Sequence, residues 1–530
     1  MSALVAVDSV SWWDKRKIDG LTWMRRRHTA HVEHNSDKTF RVRKLPVSAP
    51  PRVLPAANLY KGMSWLPPSL VMPEKLPKEA KLPRKYVVPY YGVSKLIWNL
   101  YHRCSMKPGI EWSPDMKWNG NFRDRSRGWA QPTNDAAFAQ LRLQGPNPFT
   151  LKRDPDGAET DFILDFTSIF KDLLDEAVVA RFSVVDKVFT ATSVDIGSKR
   201  HVPNAGTAEA RQGWDDAKRI VNGLDARYVT FIRHLLDTHL LVGTAYSISA
   251  LNLAGWHPLR PMLDFFTYGT LHVNHMAYQS LMQPISYFVK SNFVSQEDCY
   301  QLVVNATSQF DFNEWIAPRD IERRGLKAIP GHPYVDDAAT VWPAIKTIVC
   351  RHLTEIDLAT DDQVLADEEL AAWHRVLVSI LPSSDTVPAL DGVDSLVDLL
   401  TALIYNNVIH EICGNLSPLL DSHDPEDRVT TNFENLRALA RNETPRPTAT
   451  SADVFLIDQA AYVSGFHVKG NNLLKLNVPA VVDDPKLASC LTDLQATLSE
   501  LDDILAVRNG DRDTPFDTMQ PSNWEASISF

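Results

Sequence analysis

The sequence predicts a mainly α-helical protein. It reads as one large helical domain over residues 131–530, preceded by an extended Pro/Trp-rich segment over residues 1–130. Three observations carry this. From about residue 134 apolar residues recur at helical spacing, and few segments show sustained period-2 alternation. Residues 46–89 hold ten prolines, which fix φ and remove backbone donors, so this stretch is extended and wraps a surface. Late in the chain Leu487, Leu491, Leu494, Leu498, Leu501 and Leu505 alternate spacings of four and three, a helical seam ended by Asn509-Gly510.

The leading segment is also basic. Residues 1–128 carry 24 Lys+Arg against 10 Asp+Glu, whereas the remainder carries 31 against 55. Eight tryptophans between Trp12 and Trp129 can pin it to the acidic body, and Arg25-Arg26-Arg27 offers transient contact with an anionic membrane surface. The whole chain of 530 residues has a net charge of −10, which excludes a general nucleic-acid binder. With 44% hydrophobic and 23% charged residues it is neither wholly disordered nor collagen-like. The five cysteines are odd in number and form no CxxC pair, so no disulfide framework or zinc ribbon is expected. The first 30 residues lack the apolar core of a secretory signal, and the expectation is a reducing, cytoplasmic setting. Residues 240–259 carry no Asp, Glu, Lys or Arg, but seven polar or breaking residues interrupt them. A buried helix is expected rather than a membrane span.

The helices follow in order. Asp135 is the expected N-cap and Gly145 the stop of the first. Residues 210–254 read as one or two helices, with Gly223 as the candidate interruption. Residues 262–290, 296–309, 336–358, 363–380 and 393–417 read as further helices. The leucine seam is expected to pack within its own domain, with oligomerisation as the alternative.

His234-Leu-Leu-Asp-Thr-His239 carries the chemistry. On an ideal α-helix two residues five apart point about 140° apart, so they serve one metal only where the helix widens into a π-turn. Eighteen residues on comes His257-Pro258, followed by Thr270-Leu-His-Val-Asn274 and Gln279-Ser-Leu281. The stretch from Trp214 to Leu281 resembles the catalytic core of lipoxygenases. Asp135 to Arg153 looks like that family's FxRQxLxGxNP segment, and Ile316 to Gly325 like its LPxDLxxRG. The segments His332 to Asp337, Val341 to Lys346 and Asp367 to Trp373 follow in family order. Ser395 to Leu420 resembles the helix of the third histidine, here His410, and Ser527-Ile-Ser-Phe530 resembles the family's SIS-Ile ending.

The resemblance implies a lipoxygenase-like catalytic region over residues 131–530 that lacks the N-terminal β-sandwich of many members. It implies a non-haem iron, with manganese as the alternative, held by His234, His239, His410 and the terminal carboxylate of Phe530. Imidazole and carboxylate donors suit such a metal. Asn415 stands one position beyond the family's usual asparagine, which is Gly414 here. Either Asn415 or water takes that place. The implied activity is that of a dioxygenase. It takes a hydrogen from a doubly allylic CH₂ of a polyunsaturated fatty acid and inserts O₂ to give a conjugated hydroperoxide. Gly414, Thr230, where the family often has Gln, and Tyr278, where it has Arg, motivate two alternatives: action on another unsaturated metabolite, or rearrangement of a hydroperoxide. A non-catalytic lipid-binding homologue is the third reading.

Overall fold

The computed structural model describes residues 134–145, 147–174, 176–203, 206–280, 294–406 and 472–527, together with Leu76, Lys81, Arg437 and Ala438. The basic N-terminal segment, His410, Gly414, Asn415 and Phe530 lie outside the described residues, as do the side chains of 276–280. The architecture is mainly α, as the periodicity predicts.

The first helix, α1 (Asp135–Gln144), is capped by Asn134, whose side chain accepts from the amides of Ala136 and Ala137. The cap is therefore one residue earlier than Asp135. That carboxylate instead accepts from the indole of Trp214 at 2.7 Å and the ammonium of Lys218 at 2.6 Å. A five-stranded antiparallel sheet follows: β1 (Lys152–Arg153), β2 (Asp161–Asp165), β3 (Val178–Val185), β4 (Val188–Ile196) and β5 (Lys199–His201), in sequential order. Helix α2 (Thr167–Leu174) lies between β2 and β3.

The sheet corrects the expectation of scarce strands. Its signal is two β-branched runs joined by Asp186-Lys187, both at positive φ, with Val185 paired to Val188. Two left-handed residues match the twist of a two-residue hairpin, although Asn-Gly is the common choice. On its inner face Phe182 stacks on Phe138 of α1 at 5.7 Å and on Phe189 at 5.2 Å.

The chain then forms one continuous helical run. Helix α3 (Ala208–Arg227), capped by Thr207, passes into a π-helix over Tyr228–Gly243 and then into α4 (Thr244–Ser249). No break occurs at Gly223, which is buried within α3. The departure from α geometry comes later, as widening. Neighbours enclose this run. Arg142 of α1 bonds Asn222 at 2.7 Å and pairs with Asp225 at 3.0 Å, deep in the core. Tyr246 of α4 donates to the carbonyl of Leu399 at 2.6 Å.

The expected helix over 262–290 is split into α5 (Arg260–Phe266) and α6 (Thr270–Ser280) by a turn with Gly269 at φ 83°. Next come α7 (Gln296–Thr307), α8 (Ala317–Arg323) and α9 (Pro333–Glu355). The expected helix over 363–380 is two, α10 (Asp361–Leu365) and α11 (Glu368–Ile380), because Asp367 caps the second. Its side chain also accepts from His257 at 2.9 Å, fastening the His-Pro loop to α11.

Helix α12 (Val393–Tyr405) precedes α13 (Pro485–Gly510), whose six leucines are all buried and which packs along α9 of the same chain. Arg508 of α13 and Arg512, two residues beyond its end, clamp the fully buried Asp337, Arg512 through two bonds of 2.8 Å. Among the described residues no helix is long and apolar enough to cross a membrane.

Candidate metal centre

The π-helix is what allows His234 and His239 to meet. With widened winding, five residues turn through little more than one circle and leave the two side chains roughly 50° apart. Their Nε2 atoms are 3.1 Å apart, and the rings meet edge to face at 4.8 Å between centroids. His239 is buried and His234 half-buried.

Hydroxyl side chains follow the change of winding. Thr230 donates to the carbonyl four residues back, Ala226, at 2.7 Å. Thr238 and Thr244 reach five residues back, to Arg233 at 2.7 Å and His239 at 2.9 Å. Ser247 returns to four, donating to Gly243 at 2.6 Å. These bonds bind surplus carbonyl capacity where the ladder is stretched.

Asn274 of α6, itself buried, braces His239. Its Oδ1 lies 3.0 Å from His239 Nδ1, while its Nδ2 donates to the His239 carbonyl at 2.8 Å and to Thr244 Oγ1 at 3.0 Å. On the opposite side Thr238 Oγ1 lies 3.3 Å from Asn406 Oδ1, one residue beyond α12.

A buried charge cluster flanks the pair. Arg233 meets Asp237 at 3.3 Å and pairs with Glu314, which Arg323 also contacts at 2.9 Å. Burial pushes the Asp237 carboxyl up to about 7 against the pull of Arg233. Burial also works to raise Glu314, but Arg233 and Arg323 outweigh it and hold the group below the usual carboxylate range.

The donor set fits a transition metal as far as it is described. Two imidazole nitrogens 3.1 Å apart are donors of the kind such a metal would take. Among the described residues no group of three His, Cys, Asp or Glu gathers around a metal position. His410, Asn415 and Phe530, the remaining expected ligands, lie outside those residues. Ser527, in the SIS-Phe ending, is buried and donates to the Tyr268 carbonyl at 3.1 Å, two residues before α6 begins. The roles of Asn274, Thr238, Thr244 and Asn406 were not read from sequence. Asn274 stands in a motif, but nothing in one dimension says which residue it faces.

Comparison with known proteins finds lipoxygenases. The family model described as Lipoxygenase matches residues 191–417. The human polyunsaturated fatty acid lipoxygenase ALOX15B is 30% identical over 196 residues, 36% of this chain and 29% of the relative. The linoleate 9/13-lipoxygenase of Pseudomonas aeruginosa is 24% identical over 466 residues, 75% of this chain and 66% of the relative. The chain thus spans under a third of the one and about two thirds of the other. An anaerobic crystal structure of a LOX in complex with arachidonate superimposes with a TM-score of 0.68 at 16% identity, over 95% of this chain and 81% of that one. A calcium-dependent 11R-lipoxygenase gives 0.65 at 17% identity, over 95% and 80%. The fold is that of these enzymes, and the chain resembles the lipoxygenase family over the residues that the family model matches.

Proposed function

We propose that this chain is a non-haem iron dioxygenase acting on a polyunsaturated fatty acid. His234 and His239 hold the iron together with His410, the Phe530 carboxylate and, at the position left by Gly414, Asn415. When bound, the iron supplies the one-electron chemistry that takes a hydrogen from a doubly allylic CH₂, so that O₂ adds and a conjugated hydroperoxide forms. The protein's own part is to aim two ring nitrogens at one point and to keep their surroundings dry. Leu235, Leu236, Leu240 and Leu241 are buried on the same π-helix. Burying an acyl chain adds about 0.8 kcal/mol per CH₂.

The carrying observation is the 3.1 Å approach of the two Nε2 atoms on a helix widened to permit it. The substrate class rests on the human polyunsaturated fatty acid lipoxygenase and the bacterial linoleate lipoxygenase that the chain resembles. A second reading, a related iron enzyme on another unsaturated metabolite or a hydroperoxide, draws on Thr230. Its hydroxyl is turned to Ala226 and leaves no glutamine at that place.

The test measures bound metal and oxygen uptake on linoleate, with diene formation followed near 234 nm, for the parent and for a chain extended by one glycine after Phe530. Iron with diene growth in the parent, both lost on extension, supports the reading. Iron without uptake selects the second reading, manganese in place of iron revises the cofactor, and no metal refutes both readings. Full activity in the extended chain removes Phe530 from the ligand set.

A further inference from the structure

We infer that Asn274 is a positioning residue that fixes the protonation of His239, so that His239 presents a lone pair at Nε2. The inference rests on the metal reading above, yet its chemistry is decided within the protein. Asn274 Nδ2 lies 2.8 Å from the His239 carbonyl oxygen, which can only accept. It also lies 3.0 Å from Thr244 Oγ1, whose own proton points at that same carbonyl. Both partners therefore require a donor, and the NH₂ group must face them. Turning the amide over would set two carbonyl oxygens 2.8 Å apart with no proton between them.

With the NH₂ group so placed, Oδ1 faces His239 Nδ1 at 3.0 Å, and the ring nitrogen must donate. A neutral imidazole with its proton on Nδ1 carries its lone pair on Nε2. That nitrogen is the one 3.1 Å from His234 Nε2. One buried side chain thus holds the histidine at two points, ring and backbone, and does so at the stretched carbonyl of the π-helix.

This arrangement differs from a structural anchor in what it predicts. An anchor needs only that Asn274 fill its space and keep its donors. A positioning residue needs the acceptor. Asn274→Asp keeps an acceptor for Nδ1 but loses both amide donors, whereas Asn274→Leu loses all three bonds at similar volume.

The experiment has two readouts on the full chain. The first is ferrous iron affinity by chelator competition. Asn274→Leu should weaken it by about 10–100-fold, and Asn274→Asp should hold it within about threefold of the parent. The second is the side-chain nitrogen NMR spectrum of ¹⁵N-histidine-labelled, chelator-treated protein, with the His239 signals identified by their loss in His239→Ala. The parent and Asn274→Asp should show His239 protonated at Nδ1, and Asn274→Leu should show a mixture. The inference is overturned if the parent carries its proton on Nε2, if Asn274→Leu binds iron like the parent, or if Asn274→Asp falls as far as Asn274→Leu. A parent that binds no iron defeats the functional reading alone, because the NMR readout still decides the tautomer. Should Asn274→Leu fail to fold, the parent spectrum and Asn274→Asp carry the decision.

Discussion

The π-helix and α13 are both long helical stretches, yet they obey different rules. Helix α13 is regular. Asp484 caps it by accepting from Leu487 at 2.7 Å, six leucines line one face, and Ile504 and Val507 stay exposed on the other. Its pattern is legible because it has one wet and one dry face. The π-helix is buried nearly all round, with polar Thr230, Arg233, Asp237, Thr238 and His239 as deep as its leucines. Apolar periodicity is silent there. Its polar contacts are pairwise: hydroxyls reaching five residues back, an amide from α6 and charges beside Glu314. The packing helix is specified by a repeating pattern and the functional one by particular side chains.

The largest expected effect crosses the two. Leu498→Ala in α13 should cost about 2–5 kcal/mol of stability through transfer and cavity terms while bound iron per folded protein stays at parental level. His239→Ala should lower iron affinity by more than about 100-fold, beyond the effect of losing an outer partner. Its stability cost should be smaller, about 1–3 kcal/mol for the unpaired Asn274 acceptor. Denaturant unfolding and metal analysis of both variants check this. If Leu498→Ala strips iron as deeply as His239→Ala, the two regions are not separable and the contrast fails.

The same contrast explains what the sequence made legible. Helical spacing is visible wherever one face is wet, so α7, α9 and α13 fall near their expected places. The i,i+5 spacing of His234 and His239 called for a widened turn, and the π-helix supplies one. The sheet was missed because its alternating runs are short, and because Asp186-Lys187 turns the hairpin without glycine or asparagine. Asn134 capped α1 in place of Asp135 because the carboxylate had partners elsewhere, Trp214 and Lys218, that only the fold brings near. Asn406 and Thr238, 168 positions apart, share a bond no local pattern announces.

Buried histidines sharpen the comparison at intermediate size. His239 has a partner at each ring nitrogen, whereas His352, near the end of α9, is buried with none at either among the described residues. Burial, aided by Lys486 and opposed by Asp484, pushes His352 down to about 4. Its unfolded value is about 6.5, so below that pH the unfolded chain takes up a proton that the folded one refuses. Stability from this group is complete above pH 6.5, falls as pH drops toward 4, and levels off below. The loss is about 3 kcal/mol at one pKa unit per about 1.4 kcal/mol. His352→Leu should flatten that part of the acid limb. Urea midpoints between pH 7 and 4 check it, and an equal acid loss in the variant would assign the sensitivity to other groups.

The smallest effect tests whether hydroxyl stitches hold the widened winding. Thr238 donates five residues back to Arg233 in the buried π-helix. Thr492 donates four residues back to Ala488, at 2.8 Å, on the exposed face of α13. Valine matches the shape of threonine and removes only the hydroxyl's bonding. At Thr492 the change should be close to neutral, because water replaces the lost donor and the regular ladder needs no support. At Thr238 water has no access, and the Arg233 carbonyl loses its donor. The expected cost is about 1 kcal/mol, at the level of a net buried hydrogen bond. A stitch should also show in the site: with the turn freer to relax toward α winding, His234 and His239 separate and iron affinity falls by a few-fold. Stability and chelator competition, measured together for Thr238→Val and Thr492→Val, decide the matter. Equal stability costs at the two positions, with iron affinity unmoved at Thr238, would mean that the threonine only follows the widening. The winding would then be imposed by the neighbours that clamp the run.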